Sequence, residues 1–124
     1  MDEDIQITEA ESAVMEVLWK QHPLTADEVA QALTPAQGWQ LATVKTLLNR
    51  LLSKGALTAD AEGRRFRYSP ALDRDQWVHQ QSKGLLERLF GGRVAPLVAH
   101  FSERGALSKS DVQALKRLIK EMDP

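Results

Sequence analysis

LATVKTLLNRLLSKG at 41–55, followed by ALTADAEGRRFRYSP at 56–70, is the stretch on which the fold turns. In the first block Leu41, Val44, Leu47, Leu48, Leu51 and Leu52 recur at helical spacing, and Gly55 stands where a helix C-terminus wants it. The spacing predicts a helix over about 41–54. Its other face carries Ala42, Lys45, Thr46, Asn49 and Ser53, flanked by Thr43 and Arg50. The second block changes period. Ala61-Glu62-Gly63 supplies a turn, Arg64-Arg65-Phe66-Arg67-Tyr68 alternates basic with aromatic residues, and Pro70 ends the run. This predicts a β-ribbon with both rings packed inward against the helices.

Two helices precede this block. Thr8-Glu9-Ala10-Glu11 and Thr25-Ala26-Asp27-Glu28 each read as a capping box, a hydroxyl residue answered three positions later by a carboxylate. The first opens a helix to about residue 20, with Ala10, Val14, Val17 and Leu18 on one stripe, and His22-Pro23 stops it. The second opens a short helix predicted to end near Leu33, with Thr34-Pro35 and Gly38 marking a loop. Three helices followed by a β-ribbon is the order of a winged helix-turn-helix.

Downstream the chain is helical again. Asp73 caps a helix to about residue 90, Gly91-Gly92 breaks it, a short helix follows from Arg93, and a last one starts near Ser108. About 50 residues are too few for a self-sufficient core, so these helices must bury their apolar stripes on the first domain or on a second copy. The second copy is the better match. The fold class is therefore mainly α with a small β-ribbon: a winged-helix DNA-binding domain at 1–72 and a three-helix dimerisation domain at 73–124. The predicted dimer interface is Leu85, Leu89, Val94, Leu97, Val98, Phe101, Val112, Leu115, Leu118 and Ile119.

Composition narrows the function. The 124 residues carry a net charge of −1, which looks wrong for a nucleic-acid binder. The mean hides an asymmetry. Residues 41–68 hold six cations (Lys45, Arg50, Lys54, Arg64, Arg65, Arg67) against two anions (Asp60, Glu62), and the rest is net acidic. Segregated charge of this kind orients a molecule on a polyanion. Cysteine is absent, which excludes disulfides, Cys-type zinc sites and thiolate copper sensing. No apolar run is long enough to span a bilayer, and Met1-Asp2-Glu3-Asp4 is acidic where a secretory signal would be basic then apolar. A cytoplasmic protein with no membrane insertion is expected.

The outward face of the 41–54 helix has the chemistry of major-groove readout. Lys45 suits guanine acceptors, Asn49 suits adenine, and Thr43, Thr46 and Ala42 suit base edges or a thymine methyl. Arg50 and Lys54 suit phosphates, which set register. Arg64, Arg65 and Arg67 suit phosphates or an adjacent minor groove. The bland alternative is a solvated polar face, but such faces usually include Asp or Glu, and 41–59 has neither. A winged-helix protein-interaction module that never touches DNA is the other reading. An enzyme is not expected: His22, His79 and His100 are isolated, and no nucleophile, phosphate-loop or metalloprotease motif occurs. Trp19, Trp39 and Trp77 read as core or interface anchors, and neither a metal nor a cofactor is implied.

These residues resemble the penicillinase-repressor (BlaI/MecI/CopY) family over nearly the whole chain. The resemblance rests on Ile7-Thr8-Glu9-Ala10-Glu11, Val14-Met15-Glu16-Val17-Leu18-Trp19, Thr43-Val44-Lys45-Thr46-Leu47-Leu48-Asn49-Arg50-Leu51, Lys54-Gly55 and Leu89-Phe90-Gly91-Gly92, with Leu97-Val98 before Phe101. It implies a homodimeric repressor of inverted-repeat operators, often of TACA/TGTA type, ahead of antibiotic-resistance or metal-homeostasis genes. In several members a membrane sensor protease triggers cleavage of the dimerisation domain at an Asn–Phe bond. The matching bond here is His100–Phe101. The copper-responsive branch uses a C-terminal Cys-x-Cys cluster that this chain lacks.

Overall fold

Both capping boxes close as their spacing predicts. The computed structural model describes residues 5–123, so the acidic start Met1-Asp2-Glu3-Asp4 lies outside the described residues. Helix α1 (Glu9–Lys20) begins where the Thr8 hydroxyl accepts the Glu11 N–H at 3.1 Å and the Glu11 carboxylate accepts the Thr8 N–H at 2.8 Å. Helix α2 (Ala26–Gln37) begins the same way on Thr25 and Glu28. It does not end near Leu33. It runs through Pro35 to a left-handed Gly38 at φ 67°, because a proline in the last turn removes one N–H while the glycine supplies the closing geometry.

Helix α3 (Leu41–Ser53) leads into the hairpin of β2 (Leu57–Glu62) and β3 (Arg65–Pro70). Gly63 opens the two-residue turn at φ 63°, the left-handed value a first-position glycine provides in such hairpins. A third strand absent from the sequence reading, β1 (Leu24–Thr25), pairs antiparallel with β3, giving the order β1–β3–β2.

Val14, Met15 and Leu18 from α1, Val29 from α2, and Val44, Leu48 and Leu51 from α3 are completely withdrawn from solvent. Leu57 and Tyr68 close the core from the sheet side. Full burial of such side chains is worth about 1.5–3 kcal/mol each, so this is the main force holding α3 in place. Glu11 is buried with them. Its Oε1 takes the Lys54 ammonium at 2.5 Å as well as the Thr8 N–H, tying the start of α1 to the end of α3.

The chain forms two compact units, Met1–Val78 and His79–Pro124. The break between them follows Val78. The start of α4 (Arg74–Phe90) belongs with the first unit because Trp77 packs on Trp19 at 5.5 Å and the Arg74 Nε bridges the Glu16 carboxylate at 3.0 and 3.3 Å. The Trp19 indole also donates to the Leu72 carbonyl at 2.9 Å. The second unit holds the rest of α4, α5 (Val94–Glu103) and α6 (Lys109–Met122), the last capped by Ser108 and Asp111. None of its described residues is buried.

Glu11 makes the fold sensitive to acid. Burial pushes its carboxyl up, but hydrogen bonds from Lys54 and the Thr8 backbone, with the Lys54 charge, outweigh burial and bring it below the ordinary value of 4.5. A carboxylate whose pKa falls on folding stabilises the fold above its unfolded pKa and loses that stabilisation as pH drops through the folded one. Glu11→Gln should therefore cost about 1–3 kcal/mol at pH 7, and less as the pH falls below about 4.5. Urea melts of both proteins across pH 3–7 check this; a pH-independent difference would refute it.

Candidate nucleic-acid interface

Helix α3 buries one face and exposes the other, and the boundary follows its sequence period. Val44, Leu47, Leu48 and Leu51 point into the core, while Ala42, Thr43, Lys45, Thr46, Asn49, Arg50 and Ser53 are exposed. The predicted reading face is therefore one continuous outward surface, and no carboxylate lies on it. Gln40 caps α3 without a side-chain hydrogen bond, so the first-turn N–H groups keep their donors free for solvent or an anion. Thr46 donates its hydroxyl to the Ala42 carbonyl at 3.0 Å. Outward it offers acceptor lone pairs and a methyl, which suit a cytosine amino group or a thymine methyl.

The predicted phosphate ligands divide into two groups. Arg50, Arg64 and Arg65 are exposed and take part in no ion pair among the described residues. Lys54 and Arg67 each pair with a carboxylate. Lys54 is bound to Glu11, and Arg67 is half-buried and bound to Glu62. Both partners were visible in the sequence, but Glu11 is 43 residues from Lys54, a pairing that only the packing of α1 on α3 creates. Glu28 adds a second anion near the ribbon: hydrogen bonds from Thr25 hold its carboxyl below the ordinary range, with Arg67 and Arg65 contributing.

Tyr68 packs inward as predicted. Phe66 does not, and stands largely in solvent. Alternation along a strand says which face a residue takes; it does not say where the core beneath that face stops. Among the described residues, no group of three or more His, Asp or Glu side chains could hold a metal, and no helix is long and apolar enough to cross a membrane.

The second unit's predicted interface residues lie on all three of its helices. Leu85, Leu89, Val94, Phe101, Val112, Leu118 and Ile119 are exposed, and Leu97, Val98 and Leu115 are half-buried. Met122, missed by the sequence reading of the interface, extends the α6 stripe at 74% exposure. Its spacing of three from Ile119 could have signalled it. His100 and Phe101, at the candidate cleavage bond, are both exposed, and the imidazole contacts Phe101 and Phe90 at ring distances of 5.4 and 6.0 Å.

Known proteins share both the sequence and this arrangement. The penicillinase repressor family model matches residues 7–121. A penicillinase repressor from Bacillus licheniformis is 34% identical over 116 residues, covering 94% of this chain and 91% of that protein. The solution structure of the DNA-binding domain of the repressor BlaI is 40% identical and superposes at a TM-score of 0.54, covering 60% of this chain and 90% of that one. The Bacillus licheniformis BlaI monomer solved with the blaP half-operator is 41% identical at a TM-score of 0.51, covering 58% and 89%. A carboxylate-free helix face beside an arginine-tipped ribbon, on a chain matched over nearly its full length, places this protein in the penicillinase repressor family, whose members are DNA-binding transcriptional repressors and not enzymes.

Proposed function

We propose that this chain acts as a cytoplasmic homodimer that represses transcription by holding a palindromic operator, and that a signal acting on the second unit releases it. The observation that carries the reading is the outward face of α3, where Lys45, Thr46 and Asn49 stand together with no carboxylate among them. Lys45, Asn49, Thr43, Thr46 and Ala42 read base edges in the major groove, and Arg50, Arg64 and Arg65 hold phosphates. Lys54 and Arg67 act one step back, keeping α3 and the ribbon in place through Glu11 and Glu62. The half-operator complex of the Bacillus licheniformis relative supports the same use of this unit.

Dimerisation answers a problem of both physics and recognition. Helices α4 to α6 expose Leu89, Val94, Leu118 and Ile119 at 54–65%, an apolar surface that soluble monomers avoid. A single α3 reads only a few base pairs. Two copies on a two-fold axis read half-sites about one helical turn, or a multiple, apart. Cleavage at His100–Phe101 within α5, by a membrane sensor protease, would disrupt the interface and leave each DNA-binding unit intact. The penicillinase and methicillin-resistance repressors among its relatives support antibiotic-resistance genes as the class under control.

Substitutions separate base reading from phosphate binding. Lys45→Ala or Thr46→Ala should cost ~1–3 kcal/mol on an inverted-repeat operator from the region upstream of the gene and relax base preference. Arg65→Ala should weaken operator and random duplex alike and lower the slope of log affinity against log salt by about one. Equal effects of all three substitutions on both DNAs in a titration would contradict the division.

Sedimentation tests the dimer. The intact chain should run as a dimer, and the double substitution Leu118→Asp with Ile119→Asp as a monomer. The monomer should keep its affinity for a half-site while losing roughly 10²–10⁴-fold on the palindrome. A monomeric wild type, or a monomeric variant that binds the palindrome undiminished, would end the proposal.

A further inference from the structure

Phe66 is the one large apolar side chain of the first unit's described residues that stands mostly in solvent, at 53% exposure. A lone surface phenylalanine needs no explanation in itself. Its setting does. Strand alternation puts Phe66 on the same side of β3 as the buried Tyr68, and the register sets the exposed Ala61 opposite it. The core face of the ribbon thus continues past the end of the core as an uncovered apolar step. Arg64 in the turn and Arg65, next to Phe66 in β3 but on its other face, flank that step, both exposed and in no ion pair among the described residues.

We propose that Phe66 is a DNA contact, seated against the deoxyribose wall and base edges of the minor groove beside the half-site read by α3, with Arg64 and Arg65 on the flanking phosphates. The inference rests on the operator-binding reading above. Its occupant has to present an apolar surface within a few ångströms of anions, and the wall of a groove does so, with sugars set between phosphates. A second copy fits less well. The exposed apolar stripe of α6 is interleaved with Lys116, Arg117 and Lys120, so docking it on the ribbon tip would bring cation against cation. The contact would be tolerant of sequence and dependent on groove shape, extending the footprint beyond the bases that α3 reaches.

An apolar contact releases no counterions, and this separates Phe66 from its arginine neighbours. The full-length wild type, Phe66→Ala, Phe66→Leu and Arg65→Ala are titrated onto two duplexes, one with the half-sites and several flanking base pairs, the other cut at the half-site edges. Each titration is run at about 50 and 200 mM salt. Phe66→Ala should bind the flanked duplex about tenfold more weakly at both salt concentrations. Phe66→Leu should recover most of that loss, and Arg65→Ala should lower the salt slope. On the cut duplex Phe66→Ala and wild type should bind alike, and their melting temperatures and sedimentation should coincide. Wild-type affinity of Phe66→Ala on the flanked duplex would overturn the inference while leaving the α3 reading standing. So would an equal loss on both duplexes, a lowered melting temperature, or a change in mass. Absence of wild-type binding to either duplex would instead overturn the operator reading, and this inference with it.

Discussion

One buried carboxylate constrains the whole DNA-facing unit. Glu11 sits at the third position of α1, fully withdrawn from water, where an unpaired charge would cost several kcal/mol. Two donors meet its Oε1: the Thr8 N–H from its own helix start and the Lys54 ammonium from the end of α3. The same atom therefore closes the first capping box and holds the side chain of the residue that caps the end of α3. Directly after Lys54 come the left-handed Gly55 and the buried Ala56 and Leu57, which turn the chain into β2. The pairing adds a polar tie to the apolar burial that holds α3, and with it the direction in which Lys45, Thr46 and Asn49 point.

The two units use apolar side chains in opposite ways. In the first, α1, α2, α3 and the sheet enclose a core in which seven side chains of Val, Met and Leu lie entirely out of solvent. In the second, three helices with clear apolar stripes bury no residue completely. Helical propensity and capping, as at Ser108 and Asp111, are enough to define the helices; a stable packed state needs apolar area that so short a segment cannot cover by itself. In the proposed dimer, association would supply that area.

Charge is divided with similar economy. Arg50, Arg64 and Arg65, exposed and in no ion pair among the described residues, lie on the helix face and the ribbon tip, where a polyanion can reach them. Lys54 and Arg67 are instead paired with Glu11 and Glu62. Of the acidic residues that make the net charge negative, Glu11 is buried inside the fold. The potential facing outward differs from the total.

The sequence by itself determined the helices, the hairpin, their order and the two faces of α3. Those features depend on local period, capping and turn chemistry, and Thr8–Glu11, Thr25–Glu28 and Gly63 carry that information within a few residues. It also carried the family, because the matching segments run through residues 7–121. Tertiary structure decided the rest. It paired Lys54 with Glu11, 43 residues away, added the two-residue β1 against β3, and packed Trp77 at the start of α4 on Trp19. It also left Phe66 in solvent while burying Tyr68, two residues further along the same strand face. Each of these outcomes depends on which distant surface arrives beside a residue and where the core ends, and neither is encoded in the period of the segment that holds the residue.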